Sequence, residues 1–229
     1  MKLVSIIIPY YKKKKFLKEA IYSVLNQSYR KFEIIIVYDD EDLSDLPYIQ
    51  ELKKKDNRIK ILINKKNLGA GISRNKGIKF SKGNFLAFLD ADDIWHKDKI
   101  KYQLNFLKKN NCKVCHTSYL IIDENKMIKG KREARSFNNV NQLLKSCDIG
   151  LSTVMISRSV LKNLRFSNRK TKEDFILWLQ ILKNKVSIIG MKKNLVKWRK
   201  LSNSLSASSW QKIIDGFYVY YRYMDFNFI

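Results

Sequence analysis

The chain has 229 residues, of which 45% are hydrophobic and 29% charged, which suits a single globular domain. The hydrophobic share is too high for a disordered chain, and 8 Gly with 2 Pro are too few for low-complexity or collagen-like sequence. The 46 Lys and Arg against 21 Asp and Glu give a net charge of +25, so the surface is expected to attract polyanions, anionic lipid or phosphorylated substrates.

The sequence contains neither a membrane-spanning stretch nor a clear signal peptide. No apolar run approaches the roughly 18 residues that a spanning helix needs. The most apolar N-terminal stretch, residues 3–11, is interrupted by Pro9 and followed by four lysines, without a small-residue cleavage site. We therefore expect a cytoplasmic protein.

The first part of the chain alternates apolar runs with amphipathic segments. Apolar runs that predict strands occupy residues 3–8, 32–37, 59–63 and 84–89. The first is nearly continuous and rich in β-branched residues, which is typical of a strand buried on both faces of a parallel sheet. Apolar residues at helical spacing predict intervening helices over residues 16–27, 48–55 and 72–80. This alternation predicts an α/β fold with a mostly parallel, Rossmann-like sheet flanked by helices, in which ligands bind beyond the carboxyl ends of the strands.

Beyond residue 95 the pattern is mixed. Helices are predicted over residues 97–109, 140–144 and 173–183, followed by a terminal aromatic helix. Strands are predicted over residues 114–122, just before Gly130, over residues 153–156, and as a pair near residues 186–199. Because no linker or repeat separates the two parts, we interpret the second as a mixed extension of the same domain, which binds an acceptor and closes the site.

An acidic motif, Asp90-Ala91-Asp92-Asp93, follows the last of the four buried strands. Carboxylates at a strand end can bind Mg²⁺ while substrate phosphates fill its other positions, and such an ion would neutralise a leaving diphosphate. The alternative is an acidic loop in which Asp92 or Asp93 caps the next helix. The position of the motif after a buried strand, in a lysine-rich chain, favours metal.

Two further motifs can be interpreted as functional or structural. Arg74 lies where a Gly-rich turn joins a predicted helix. Its planar guanidinium group could pair with a phosphate there, or it could simply face solvent. Glu173 and Asp174 begin a strongly apolar helix. Their negative charges could simply interact favourably with the helix dipole. Alternatively, one of the carboxylates could act as a general base that accepts a proton from a hydroxyl nucleophile.

Taken together, these segments resemble the inverting family 2 glycosyltransferases, nucleotide-sugar enzymes of the GT-A fold. The resemblance covers residues 3–205 and is carried by the order and spacing of residues 4–11, 23–28, 32–37, 67–77, 88–93, 173–179 and 198–199. It implies a catalytic domain over residues 1–205, with a nucleotide-binding half up to about residue 95 and an acceptor-binding half from 96 to 205. Residues 206–229 would form an aromatic helix packed on the domain or lying at the membrane.

On the donor side, the resemblance assigns roles to residues at the strand ends. It implies that an aspartate after the second strand reads the base. The family usually has Asp-Asp-Gly-Ser there, but this chain has Tyr38 followed by Asp39 and Asp40, so both aspartates are candidates. The remaining implied donor contacts are Pro9, Tyr10 and Tyr11 lining the nucleotide pocket, Arg74 near the nucleotide, and Arg199 steadying the diphosphate.

For the metal and the chemistry, the resemblance implies Mg²⁺ or Mn²⁺ bound with the donor diphosphate by Asp92. Asp90 would approach the ribose or the metal. Asp174 resembles the general base, and Glu173 would support it or touch the acceptor. A hydroxyl deprotonated by Asp174 would then attack the anomeric carbon from the face opposite the diphosphate, which inverts the configuration.

The implied activity is transfer of a sugar, with a UDP-sugar as the expected donor, to a saccharide or lipid-linked acceptor in cell-surface polysaccharide or lipopolysaccharide synthesis. An anionic membrane surface is a further expected partner, at the inner face of the cell membrane. The alternatives are a basic nucleic-acid-binding protein and a catalytically inactive sugar-nucleotide-binding relative. Because no recognised nucleic-acid-binding signature accompanies the lysines, nucleic acid is not expected as a partner.

Overall fold

The computed structural model describes residues 2–201 together with Ile214, Val219 and Tyr221. The aromatic helix predicted over residues 206–229 therefore lies outside the described residues, apart from these three positions. All three have helical backbone geometry, and Val219 is buried within one of the two hydrophobic clusters of the domain. Within the described part of the chain, no helix is long and apolar enough to cross a bilayer.

The first half of the chain folds into the alternating strands and helices predicted from its sequence, followed by a short strand, Ile94–Trp95, that was not predicted. The strands are β1 (Val4–Tyr10), β2 (Phe32–Tyr38), β3 (Ile59–Ile63), β4 (Phe85–Phe88) and β5 (Ile94–Trp95). The helices are α1 (Lys14–Leu25), α2 (Leu46–Lys54) and α3 (Ala70–Phe80). β1 and β2 are buried along nearly their whole length, which explains why their sequences are mostly apolar rather than alternating.

The second half contains the three predicted helices and a more irregular set of strands. The helices are α4 (Lys99–Lys109), α5 (Val140–Lys145) and α6 (Glu173–Lys183). The strands are β6 (Val114–Ile122), β7 (Ile128–Arg132), β8 (Met155–Ser157) and β9 (Ile189–Arg199). The strand predicted before Gly130 instead continues through it, because Gly130 pairs with Ile121 within the β6–β7 hairpin.

The prediction of two paired strands near residues 186–199 is wrong. These residues form one long strand, β9, which lies parallel to β6. In the pairing register Thr117 lies opposite Met191, whereas the next residue, Ser118, lies opposite Asn194. Two exposed lysines are therefore extra residues of a bulge, and the polar stretch that resembles a turn in the sequence is accommodated inside the strand.

Nine strands among the described residues form one sheet, in the order β3-β2-β1-β4-β8-β6-β9-β5, with β7 paired to β6. β3, β2, β1 and β4 are parallel, as predicted for the first half. Beyond β4 the sheet is mixed, because β8 runs antiparallel to both β4 and β6, and β5 runs antiparallel to β9. Since β5 from the first half pairs with β9 from the second, the two halves share one continuous sheet.

Two hydrophobic clusters cover the two faces of this sheet. Ile6 and Ile8 of β1 belong to the first cluster, which also includes buried residues of α1, α2 and α4. Ile7, between them, points to the opposite face and belongs to the second cluster, with buried residues of α3, α5 and α6. This alternation places helices on both faces and leaves the carboxyl ends of the parallel strands open for a site.

Candidate active site

The acidic loop after β4 is fixed by Asp93, a residue to which the sequence assigned only a possible capping role. Asp93 is 1% exposed and accepts a hydrogen bond from Ser152 Oγ at 2.5 Å and another from the backbone N–H of Arg199 at 2.8 Å. Burial, reinforced by the charges of Asp90 and Asp92, raises its pKa well above the usual range. Asp93 therefore holds the loop in shape and leaves Asp90 and Asp92 as the carboxylates of the site.

Asp92 faces a lysine from the loop that follows β1. Lys13 Nζ lies 3.0 Å from Asp92 Oδ2, and the Asp92 side chain is 17% exposed. Burial and the charge of Asp90 raise the pKa of Asp92, while Lys13 opposes this shift. Lys13 belongs to the run of four lysines that follows residue 11, and its contact with the acidic motif has no signal in the sequence.

Arg74 joins the acidic loop after β4 to the start of α6. The residue is 4% exposed; its Nη2 donates to Asp90 Oδ1 at 2.8 Å and its Nη1 donates to Glu173 Oε1 at 2.7 Å. Both carboxylates raise the pKa of Arg74 against the effect of burial, so the guanidinium stays charged. The planar fork suits this bridge, since it can address two carboxylates in fixed directions.

Two local features bring α3 and α6 close enough for this bridge. Gly71 lies in the first turn of α3, where a Cβ would collide with the Ser167 carbonyl oxygen and lie 3.3 Å from Glu173 Cβ. Asn75, one residue beyond Arg74, donates to the Phe166 carbonyl oxygen at 2.8 Å and accepts from the Phe166 N–H at 3.0 Å. The Asn75 side-chain amide therefore holds the segment before α6 against α3 through two hydrogen bonds to the Phe166 backbone. Asn75 belongs to the sequence motif, but the motif alone does not predict this contact.

Asp174 lies beside this bridge at the start of α6. It is half-buried, and its Oδ1 accepts a hydrogen bond from the Phe175 N–H at 2.7 Å. Burial, followed by the charge of Glu173, raises its pKa to about 7, and Arg74 only partly offsets this. A carboxylate with this pKa is suited to accept a proton near neutral pH.

The residues predicted to hold the nucleotide lie at the ends of β1 and β2 but differ in accessibility. Tyr11 is 40% exposed, whereas the Tyr10 side chain is fully buried, stacks on Tyr38 and donates to Asp45 Oδ2 at 2.5 Å. Pro9 is half-buried. The side chain of Tyr10 therefore faces the core beneath the site, and only its backbone remains at the strand end.

The two candidate base-reading aspartates have different surroundings. Asp39 is 2% exposed, and its Oδ1 accepts from Asn64 Nδ2 at 2.7 Å and from the Leu68 N–H at 2.8 Å. Asp40 is 6% exposed, and its Oδ1 accepts from the Asp42 N–H at 3.2 Å. Asp39 thus fixes the loop that leads into α3, while Asp40 shapes its own turn.

Arg199 ends β9 directly behind the acidic loop. Its Nε donates to the Asp92 carbonyl oxygen at 2.8 Å, its Nη2 donates to Glu19 Oε2 at 2.7 Å, and its Nη1 contacts the turn after β6. The guanidinium also lies over the Phe16 ring, 4.7 Å from the centroid, and the residue is 3% exposed. The diphosphate contact implied for Arg199 stays a prediction, although all three of its guanidinium nitrogens already donate within the protein.

Sequence comparison places these residues in a known family. A model of the family described as Glycosyl transferase family 2 matches residues 5–165. The chain is 38% identical over 212 residues to the Escherichia coli UDP-Glc:alpha-D-GlcNAc-diphosphoundecaprenol beta-1,3-glucosyltransferase WfgD, covering 92% of this chain and 82% of the relative. It is 33% identical over 219 residues to the putative teichuronic acid biosynthesis glycosyltransferase TuaG of Bacillus subtilis, covering 95% and 87%.

Solved structures agree on the fold. The S. aureus TarS fragment 1–349 in complex with UDP-GlcNAc superposes with a TM-score of 0.76 at 22% identity, covering 91% of this chain. The same fragment in complex with UDP gives a TM-score of 0.72 at 23% identity. This chain spans about three fifths of that fragment. The predicted α/β fold of GT-A type is confirmed, and the chain belongs to glycosyl transferase family 2.

Proposed function

We propose that this protein transfers a sugar from a UDP-sugar to a hydroxyl of a lipid-diphosphate-linked saccharide, with inversion, during the synthesis of a cell-surface polysaccharide. The observation that carries the proposal is the Asp90–Arg74–Glu173 bridge, which brings the acidic donor motif and the Glu-Asp pair of α6 to one edge of the sheet. The relative WfgD, named as a glucosyltransferase that uses UDP-Glc and a diphosphoundecaprenol-linked acceptor, supports this substrate class.

Asp174 acts as the general base in this proposal. Its Oδ1 accepts from the Phe175 N–H, and Oδ2 takes the proton of the acceptor hydroxyl. The hydroxyl oxygen forms a bond to the anomeric carbon from the opposite face as the bond to the diphosphate oxygen breaks, so UDP leaves and the configuration inverts. Glu173, fixed by Arg74, holds the start of α6 at a constant distance from the donor.

Asp39 reads the base in this proposal. Two donors fix its Oδ1, so the carboxylate is preorganised and its other oxygen can accept from the N3–H of uracil. Asp40 is the alternative reader, on the same strand end. Tyr11 contributes an exposed ring beside the base, and Pro9 and the backbone of Tyr10 form the floor of the pocket.

The donor set near Asp92 fits a divalent cation that is shared with the substrate. Among the described residues no three His, Cys, Asp or Glu side chains converge on one point, so an all-protein cage is absent there. Mg²⁺ typically uses one or two carboxylates and completes its shell with water and substrate phosphates. We propose that Asp92, assisted by Asp90, would hold Mg²⁺ or Mn²⁺, which would supply charge neutralisation at the donor diphosphate.

We also propose that the protein works at the inner face of the cell membrane as a peripheral protein. The net charge of +25 favours approach to anionic lipid, and a lipid-linked acceptor would be presented there.

The test is a transfer assay with the full chain, Mg²⁺ or Mn²⁺, a panel of UDP-sugars, and GlcNAc-diphosphate carried on a long-chain alcohol. We expect a product one sugar heavier by mass spectrometry, with the opposite anomeric configuration to the donor by NMR. Asp174→Asn is the matched inactive control. Binding of UDP without transfer to any acceptor or water would instead favour the catalytically inactive relative.

A further inference from the structure

The β6–β7 hairpin ends in an exposed apolar pair. Met127 and Ile128 are each 62% exposed. The turn that carries them is well ordered, because Asp123 Oδ1 accepts hydrogen bonds from the N–H groups of Asn125 and Met127, both at 2.9 Å. The pair is thus presented by a fixed turn at the tip of the hairpin.

Basic residues surround this tip. The two acids of the turn are each matched by a lysine, since Lys129 pairs with Asp123 and Lys15 with Glu124, and Lys126 of the turn pairs with Glu19 of α1. Lys131 and Arg132, both exposed on β7, then add two positive charges, against one negative charge from the exposed Glu133 that follows them. Lysines on an edge strand also discourage pairing with other strands, but an exposed Met-Ile pair has no such protective effect.

The hairpin is attached to the acidic loop through one side chain. Arg199 Nη1 donates to the carbonyl oxygens of Asp123 at 3.2 Å and Glu124 at 3.1 Å. Its Nε donates to the carbonyl oxygen of Asp92 at 2.8 Å. The tip therefore lies at the same edge of the sheet as the proposed donor site, with a rigid connection between them.

We propose that the Met127–Ile128 tip inserts into the headgroup region of an anionic bilayer and turns the mouth of the site toward the membrane that contains the acceptor. Binding at a membrane interface depends on buried apolar area and on attraction to anionic lipid. The Met127–Ile128 pair provides the first, and the basic residues around it provide the second. This inference rests on the proposed function only for the identity of the acceptor.

The first test measures partition of the full chain onto vesicles of phosphatidylglycerol and phosphatidylethanolamine, with pure phosphatidylcholine vesicles for comparison. We expect binding to the anionic vesicles, and partition about tenfold weaker for the double variant Met127→Ser with Ile128→Ser, as expected for losing two partly inserted side chains. The matched control is Phe80→Ser. Phe80 is 59% exposed at the end of α3, near the start of β1 and thus at the opposite edge of the sheet.

Two results would overturn the proposal: no binding of the wild-type chain to anionic vesicles, or equal binding by the double variant and the wild type. Activity separates this proposal from the proposed function. The double variant should transfer sugar normally to a short, water-soluble acceptor but poorly to a long-chain acceptor in vesicles. If no acceptor is ever glycosylated while the vesicle result stands, the proposed substrate fails and the membrane surface remains.

Discussion

The guanidinium of Arg74 lies against the Glu173 carboxylate, with Nη1 2.7 Å from Oε1. The same group reaches Asp90 Oδ1 through Nη2, so one buried cation sets the separation between the acidic loop after β4 and the start of α6. In the proposed reaction these are the donor side and the base side. Their spacing therefore depends on the shape of one side chain rather than on the backbone alone.

Arg74→Lys should test that dependence. The ammonium keeps the charge but cannot direct two parallel donors at two carboxylates. A displacement of about 1 Å between base and donor is expected to lower kcat by about a hundredfold, with a smaller change in the KM for the donor. Steady-state kinetics and a melting curve would measure this. Wild-type kcat in a folded Arg74→Lys variant would show that the bridge has no positioning role.

Asp174→Asn should abolish transfer while making the folded protein more stable at pH 8. The pKa of Asp174 is about 7 in the folded state against about 3.9 in an unfolded chain. Between these values the folded state holds a proton that the unfolded state has lost, so the free energy of unfolding falls as pH rises to 7. Above pH 7 the amide removes this penalty, with an expected gain of up to about 4 kcal/mol. Denaturant unfolding at pH 8 checks it, and an equal or lower stability would contradict it.

Glu173→Gln should shift the pH profile of the reaction. The charge of Glu173 raises the pKa of Asp174, so its removal lowers that pKa while the amide oxygen still accepts from Arg74. In the wild type we expect kcat/KM to fall as pH drops through about 7, and in the variant this acid limb should move to lower pH. An unchanged limb would mean that another group controls the profile.

Lys13→Gln should strengthen cation binding at Asp92. Lys13 Nζ contacts Asp92 Oδ2, so the ammonium competes for an oxygen that a divalent ion would use. We expect Mn²⁺ in the presence of UDP to bind about threefold to tenfold more tightly, as for loss of a partly exposed ion pair. Electron paramagnetic resonance of free Mn²⁺ gives the readout. Lys14→Gln, which removes an ion pair with Asp45, is the control and should not change Mn²⁺ affinity.

Lys99 should make stability depend on pH in the opposite direction. The residue is fully buried, with Nζ 3.8 Å from the centroid of the Trp95 ring and 2.7 Å from Gln103 Oε1, and burial lowers its pKa to about 7. Between pH 7 and about 10.4 the unfolded chain holds one proton more than the folded chain, so the free energy of unfolding rises with pH.

The rise expected from Lys99 is up to about 4 kcal/mol, and Lys99→Met should lack it. Unfolding curves at several pH values would compare the two slopes, with Lys108→Met on the same helix as an exposed control. Parallel slopes in wild type and Lys99→Met would exclude a pKa shift of this size.

The fold of the first half could be predicted because the pattern of each strand and helix can be recognised within its own segment of the sequence. β1 and β2 are buried on both faces, so their sequences are mostly apolar, and α1 between them has apolar residues at helical spacing. β9 could not be predicted in the same way. Its extra lysines form a bulge against β6, and a bulge depends on the partner strand rather than on the sequence around it.

The sequence motifs supply the candidate site residues, but they do not predict the contacts that hold these residues together. Asp90, Arg74 and Glu173 stand in motifs, but their mutual contact depends on how α3 packs against the segment before α6. Ser152, which accepts from the Asp90 N–H and donates to Asp93, lies in a stretch with no motif. Lys13 and Lys99 look alike in the sequence, yet one pairs with the acidic loop and the other is buried over an indole ring.

β5 pairs with β9, and the Arg199 N–H donates a hydrogen bond to Asp93. These contacts limit which segments can be exchanged between two enzymes of this family. A chimera that exchanges residues 96–201 between two relatives, to graft a new acceptor preference, would also exchange the strand and the arginine that shape the acidic loop after β4. Such grafts should succeed only when the incoming segment matches the resident acidic loop. Donor and acceptor preferences in this lineage are therefore expected to change by substitutions within one domain rather than by exchange of modules.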